Sequence, residues 1–189
     1  MSTMVRSAPS RHRLTATEYR RMGEVGILRP DARVELIEGE IIDMAPIGSR
    51  HSGTVEQLAH LLRRACGERA MVRTQQPVSL DDHSEPEPDI VVVTPRADFY
   101  KRHHPRAPDI ILLIEVSEAS LAYDREVKVP LYARHSVREA WIVDLAQRRI
   151  ELYANPHAGV YARVETVGAQ ISAGGLPGLT LDVASLFDA

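Results

Sequence analysis

Apolar residues recur at helical spacing in two long segments of the chain. The first begins at Ser49 and ends before Gly67, a residue typical of helix ends. The second covers residues 124–135, where Pro130 should introduce a kink. Three shorter helices are predicted at residues 18–25 (after a Thr15 or Thr17 cap), within 95–106, and at 183–187.

Other segments alternate between apolar and polar residues, or are apolar throughout, over the length of a strand. Residues 33–38 and 40–45 flank a turn at Gly39, which predicts a β-hairpin. Segments 88–94 and 109–116 are apolar on both faces, as central strands of a helix-covered sheet are. Further strands are predicted at 70–80, 138–144, 148–153, 160–167 and 179–181, the last two completing the same sheet. This order of elements predicts an α/β (α+β) fold with one main sheet.

Composition limits the classes of protein that fit this pattern. The chain has 189 residues, of which 44% are hydrophobic and 26% charged, so we expect one globular domain over residues 14–189 after a flexible tail over 1–13. No apolar run has the length of a membrane span, and the single Cys66 excludes a disulfide framework, so a cytoplasmic location is expected. The net charge of −3 weighs against tight, non-specific binding to nucleic acid.

Two acidic residues stand at the ends of the most apolar strands. Asp89 precedes the strand that starts at Ile90, and Glu115 follows the run that ends at Ile114. If these strands are neighbours, the two carboxylates converge, and they then need a cation between them to limit their repulsion. Mg²⁺ or Mn²⁺ prefers such oxygen ligands. The alternatives are a turn cap for Asp89 and an ordinary strand-end charge for Glu115.

Lys128 is the candidate cationic partner of these acids. The chain has only one other lysine, Lys101. Glu126 lies two positions before Lys128, a separation that places the two side chains on different sides of a helix. Glu115 is therefore the better partner, and a surface salt bridge between Asp124 and Lys128 is the alternative.

Several motifs occur in the order typical of a known family. They are Val34–Glu40, His51, Glu87–Ile90, Glu115–Ser117, Tyr123-Asp124, Val127-Lys128, Pro130–Ala133 and Glu139–Asp144. Over roughly residues 14–153 the chain resembles the Uma-two family of restriction endonucleases, a branch of the PD-(D/E)XK nuclease superfamily. The resemblance implies a restriction-endonuclease-like core, with a mixed central β-sheet flanked by helices. It also implies Asp89, Glu115 and Lys128 as the catalytic set. The lysine of this superfamily normally stands two residues after the second acid; Ser117 occupies that position, which implies a lysine that has migrated to the next helix.

The resemblance implies a metal-dependent endonuclease that hydrolyses phosphodiester bonds of nucleic acid, most simply DNA. Asp89, Glu115 and the Val116 carbonyl would hold Mg²⁺ or Mn²⁺, and the chain would act as a homodimer or higher homo-oligomer. Secondary candidates for the site are Glu35, His51 and Asp124. Candidate contacts to the nucleic acid are Arg63, Arg64, Arg102 and Arg106, each with a plain solvated role as the alternative.

Other chemistries do not fit the sequence, and two non-enzymatic functions do. There is no phosphate-binding glycine loop, no nucleophile-elbow serine, and no pair of histidines at the helical spacing of a zinc site. A catalytically inactive nuclease fold that binds nucleic acid or protein is one alternative. A structural protein with an oligomer face around Trp141 and residues 160–181 is the other.

Overall fold

A six-stranded sheet in the order β3–β4–β5–β6–β7–β8 forms the centre of the fold. The computed structural model describes residues 10–187, so residues 1–9 of the predicted tail and the last two residues of the predicted domain lie outside the described residues. The strands are β3 (Met71–Thr74), β4 (Ile90–Val93), β5 (Ile110–Ser117), β6 (Glu139–Asp144), β7 (Arg149–His157) and β8 (Val160–Val167). Only β5 and β6 run parallel, and the other neighbours are antiparallel. The prediction of a mixed central sheet is confirmed.

Two hairpins stand beside the main sheet. The predicted hairpin is confirmed as β1 (Val34–Ile37) and β2 (Glu40–Asp43), which form a sheet of their own. The prediction that residues 179–181 complete the main sheet is wrong, because β10 (Thr180–Asp182) pairs with β9 (Gln170–Ser172) in another two-stranded sheet. The short loop between β9 and β10 closes at a small entropic cost, which favours this local pairing over a place at the edge of the main sheet.

The helices flank the sheet. They are α1 (Ala16–Glu24), α2 (Ser49–Cys66), α3 (Leu121–Tyr123) and α4 (Val129–Arg134), together with a 3₁₀ turn over Ala184–Leu186 near the C-terminal end. Thr15, one of the two predicted caps, is the N-cap of α1 and forms a capping box with Glu18. No helix within residues 10–187 is both long and apolar enough to cross a membrane.

A π-turn over Asp124–Lys128 joins α3 to α4. Its defining hydrogen bond runs from the Val129 amide to the carbonyl of Asp124, five residues back. Pro130 lies in the first turn of α4, where it has no N–H to donate. The predicted interruption of this helix is therefore present, as a π-turn directly before the proline.

The predicted helix within residues 95–106 is absent. Phe99 and Tyr100 have φ angles of 53° and 57°, which a right-handed helix does not accommodate. The segment forms turns, and the first helical turn after β4 is a three-residue 3₁₀ turn over Ala107–Asp109.

Apolar cores cover both faces of the sheet. α2 packs on one face through Val55, Leu58 and Leu62, against strand residues such as Ile114. α4 packs on the other face, where Tyr132 and Val129 meet Val91 and Leu113. Since side chains alternate along a strand, Asp89 and Glu115 belong to the α4 face of the sheet.

Candidate active site

A cavity of about 300 Å³ opens at the end of the sheet where β4 begins and β5 ends. Seven carboxylates from several segments of the chain line it, together with Lys128, His51 and Arg33. The loop over residues 44–48, which joins β2 to α2, forms one wall. The cavity therefore gathers acids that lie far apart in the sequence, and these acids outnumber the cationic side chains that line it.

The strand register brings Asp89 and Glu115 together. Ile90 faces Ile114 across the antiparallel β4–β5 pair, so Asp89 and Glu115 occupy the next facing positions. The backbone N–H of Val116 donates to Asp89 Oδ2 over 2.9 Å. Both acids are buried, with 8% of Asp89 and 3% of Glu115 exposed. The expected convergence of these two carboxylates is present.

Lys128 binds two buried carboxylates at the floor of this cavity. Its Nζ lies 3.1 Å from Glu115 Oε1 and 3.1 Å from Glu35 Oε2. Burial alone would lower the pKa of Lys128, but the charges of Glu115 and Glu35 raise it above its ordinary value, so the side chain stays protonated. Lys128 is 4% exposed, which excludes a surface salt bridge between it and Asp124.

The π-turn explains how Lys128 reaches the site. The hydrogen bond from Val129 to Asp124 makes this turn wider than a turn of an α-helix, in which residues five apart lie on different faces. Tyr123, Asp124 and Lys128 all line the cavity as a result. The Tyr123 hydroxyl is buried and has no hydrogen-bond partner within the described residues, and burial raises its pKa to about 12.

Asp124 anchors this turn to the end of β5. Its Oδ2 accepts hydrogen bonds from Ser117 Oγ over 2.6 Å and from Ser120 Oγ over 2.7 Å. Ser117, the last residue of β5, thereby binds the segment that carries Lys128. Asp124 is therefore a positioning residue for Lys128.

His51, in the first turn of α2, contacts Asp89, the site acid that precedes β4. Its Nε2 lies 3.1 Å from Asp89 Oδ2, and its Nδ1 is buried without a hydrogen-bond partner among residues 10–187. The hydrogen bond to Asp89 is the main cause of a raised pKa for His51. This contact places His51, one of the secondary candidates, against the carboxylate of Asp89.

Tyr132 and Glu87 are among the site residues that the sequence analysis did not select. Tyr132 Oη donates a hydrogen bond to Glu115 Oε1 from α4, and the Glu87 amide donates to Glu35 Oε2 over 3.1 Å. Tyr132 lies four residues after Lys128, and this helical spacing could have found it. Burial, followed by the neighbouring charge of Glu35, raises the pKa of Glu87.

Glu115 is the most strongly perturbed acid of the site. Burial raises its pKa above the ordinary value of a glutamate, although the charge of Lys128 opposes the shift. Nearby carboxylates, first Asp124 and then Asp89, raise it further. A buried carboxylate beside other carboxylates is stabilised when a cation binds to it.

The four arginines predicted to contact nucleic acid do not lie in this cavity. Arg63 and Arg64 are in the last turn of α2, about 18 Å along the helix axis from His51. Arg102 and Arg106 belong to the loop that joins the far ends of β4 and β5. The cavity is lined instead by Arg33, which the sequence analysis did not select.

Asp89 and Glu115 are the oxygen donors that Mg²⁺ would meet in this site. Among residues 10–187 no three or more His, Cys, Asp or Glu side chains are arranged to hold a metal ion. Asp89 and Glu115 each bind protein groups through one oxygen, and within the described residues no hydrogen bond engages the other. Mg²⁺ is commonly held by one or two carboxylates and completed by water, so two carboxylates fit its chemistry.

Comparisons with known proteins agree with this fold. A crystal structure of a protein from Anabaena variabilis, described as a putative nuclease, superposes with a TM-score of 0.71 at 17% identity, covering 92% of this chain and 97% of the other. A search of curated proteins finds no match to this chain. The family model Uma2, described as "Putative restriction endonuclease", matches residues 16–184. The chain therefore belongs to the Uma2 family.

Proposed function

We propose that this protein is a metal-dependent endonuclease that hydrolyses phosphodiester bonds of DNA. The observation that carries the proposal is the convergence of Asp89, Glu115 and Lys128 in one cavity of a chain from this family. Two acids and a lysine at the end of a mixed sheet are the set that the resemblance to PD-(D/E)XK nucleases implies.

The metal is Mg²⁺ or Mn²⁺ in this proposal. The free oxygens of Asp89 and Glu115, together with the backbone carbonyl of Val116, would hold the ion. The bound ion would supply an activated water and stabilise negative charge on the phosphate. His51 and the Val116 amide hold one oxygen of Asp89, which fixes the direction of the other oxygen.

Lys128 would contact the reacting phosphate or the attacking water. Its ammonium group has three protons, of which Glu35 and Glu115 accept two. The third proton remains for a phosphate oxygen or a water in the cavity. The side chain thus brings positive charge to a site that is otherwise rich in carboxylates.

We place the protein in the cytoplasm with DNA as substrate. Cys66 is a free, buried thiol, as in proteins of a reducing compartment. The net charge of −3 predicts weak and strongly salt-dependent binding to DNA, with the bound metal ion supplying much of the local positive charge.

A nicking assay tests the proposal. Purified protein is incubated with supercoiled plasmid and Mg²⁺ or Mn²⁺, beside the variants Asp89→Asn, Glu115→Gln and Lys128→Met. Asp31→Asn is the matched control, since Asp31 is exposed and pairs only with Arg29 within the described residues. We expect nicking by the wild type and by the control alone. Equal nicking by the wild type and the three site variants would identify a contaminant, and a folded wild type without nicking would refute the proposal.

The alternative function is an inactive nuclease fold that binds nucleic acid or protein. The absence of a three-ligand metal set among residues 10–187 favours it. Calorimetric titration with Mn²⁺ separates the two functions. Heat of binding that disappears in Asp89→Asn supports the nuclease, whereas a wild type that binds no Mn²⁺ supports the inactive module.

A further inference from the structure

The last strand of the main sheet, β8, has an open edge. β8 pairs with β7 on one side, and no described strand pairs with its other side. It is eight residues long and lacks the proline and lysine residues that commonly protect such edges. A strand of this length with free backbone groups is a template for pairing with a further strand.

The exposed side chains of β8 show that solvent surrounds this edge. Val164 is 58% exposed and Val160 is 63% exposed, and they are two of the six large hydrophobic residues with high exposure in the described chain. Between them and beyond, residues 162–166 are all exposed. Covering an apolar side chain in the middle of an exposed edge strand with a second strand removes apolar surface from water, which stabilises the pairing.

We propose that two copies of this chain associate through β8, in antiparallel pairing with Val164 on the two-fold axis. The geometry points to this register because it is self-complementary. In it Val164 faces Val164 of the second copy, and Arg163 of each copy faces Glu165 of the other.

The charges support this register in particular. Arg163 and Glu165 lie on the same face of the strand, where they form a bidentate ion pair within the chain at 2.8 Å. Across the two-fold axis Arg163 of each copy faces Glu165 of the other copy, so each guanidinium has a second carboxylate as a neighbour. Opposite charges in directly facing positions stabilise antiparallel strands, and like charges destabilise them.

Pairing of this kind buries a modest area, so we expect a concentration-dependent dimer. The inference rests on the edge strand and not on the proposed nuclease function, and oligomeric state tests it without any measurement of activity. A loss of nicking and a loss of dimers are therefore distinguishable results.

Two charge variants test the register. Arg163→Glu makes both positions acidic, and Glu165→Arg makes both basic. Each variant alone places like charges opposite each other across the axis, so each should be monomeric. A mixture places acidic strands opposite basic ones and should restore dimers, although the ion pair within each chain remains broken. Only pairing between chains predicts this recovery.

Light scattering after size exclusion is the measurement, at protein concentrations from about 1 to 200 µM. Far-UV circular dichroism checks that each variant is folded, and Val164→Lys is a second test should either charge variant fail to fold. We expect dimers for the wild type and the mixture, and monomers for each variant alone. A wild type that stays monomeric, variants that still form dimers, or a mixture that stays monomeric would overturn the proposal.

Discussion

Replacing Lys128 with methionine would leave two buried carboxylates without their counter-ion. At 3.1 Å and an effective dielectric constant of about 20, each Lys128–carboxylate attraction amounts to about 5 kcal/mol. The cost of burying the three charged groups offsets most of this gain. Removal of one partner of a buried ion pair typically lowers the free energy of unfolding by about 3–5 kcal/mol, and we expect that loss for Lys128→Met.

Urea denaturation at pH 7 measures the loss. Trp141 is the only tryptophan and is fully buried, so its fluorescence reports unfolding of the main sheet. Lys101→Met is the matched control, since Lys101 is exposed and its replacement should change stability by less than about 0.5 kcal/mol. Adding Glu35→Gln to Lys128→Met should recover part of the loss, because it removes one unpaired carboxylate. A loss below about 1 kcal/mol, or no recovery in the double variant, would refute the reasoning.

Three further predictions use the same urea assay. Tyr123→Phe should not lower stability, because the Tyr123 hydroxyl is buried without a partner among residues 10–187, whereas Tyr161→Phe loses a 2.9 Å hydrogen bond to a backbone carbonyl and should cost about 1 kcal/mol. The second prediction concerns Glu151. Burial raises the pKa of Glu151, but hydrogen bonds from Arg125 outweigh this effect and hold the pKa below its ordinary value of 4.5. The ion pair therefore stabilises the fold above that pH and is lost as the pH falls, so Glu151→Gln should show a smaller loss of stability between about pH 5 and 2. The third is Gly53→Ala, which should add up to about 1 kcal/mol, because Gly53 lies in α2 with open space around its Cβ position; a loss of stability would contradict it.

The sequence was sufficient to predict that Asp89 and Glu115 converge. Asp89 and Glu115 flank two apolar strands, and an antiparallel pairing of those strands is enough to bring the acids together. The choice of Lys128 rested on excluding Glu126 by helix geometry, and the structure places its Nζ at Glu115.

The remaining features depend on long-range packing, which local patterns do not reveal. The π-turn depends on how Asp124 binds Ser117 at the end of another element. β10 has the pattern of a sheet strand, but it pairs with β9 and not with the main sheet. The arginines were selected by charge alone, and charge does not indicate which end of α2 faces the cavity.

The assembly of the cavity from distant segments has a consequence for how the chain is synthesised. When the ribosome has released the chain only as far as β5, the acids Glu35, Asp89 and Glu115 are present but Lys128 is not. Carboxylates without a counter-ion resist burial, so the end of β5 should remain hydrated until the helical segment that follows it has emerged. A product that ends before the π-turn would then carry Glu35, Asp89 and Glu115 but no enclosed cavity. The site therefore forms only after translation has passed α4.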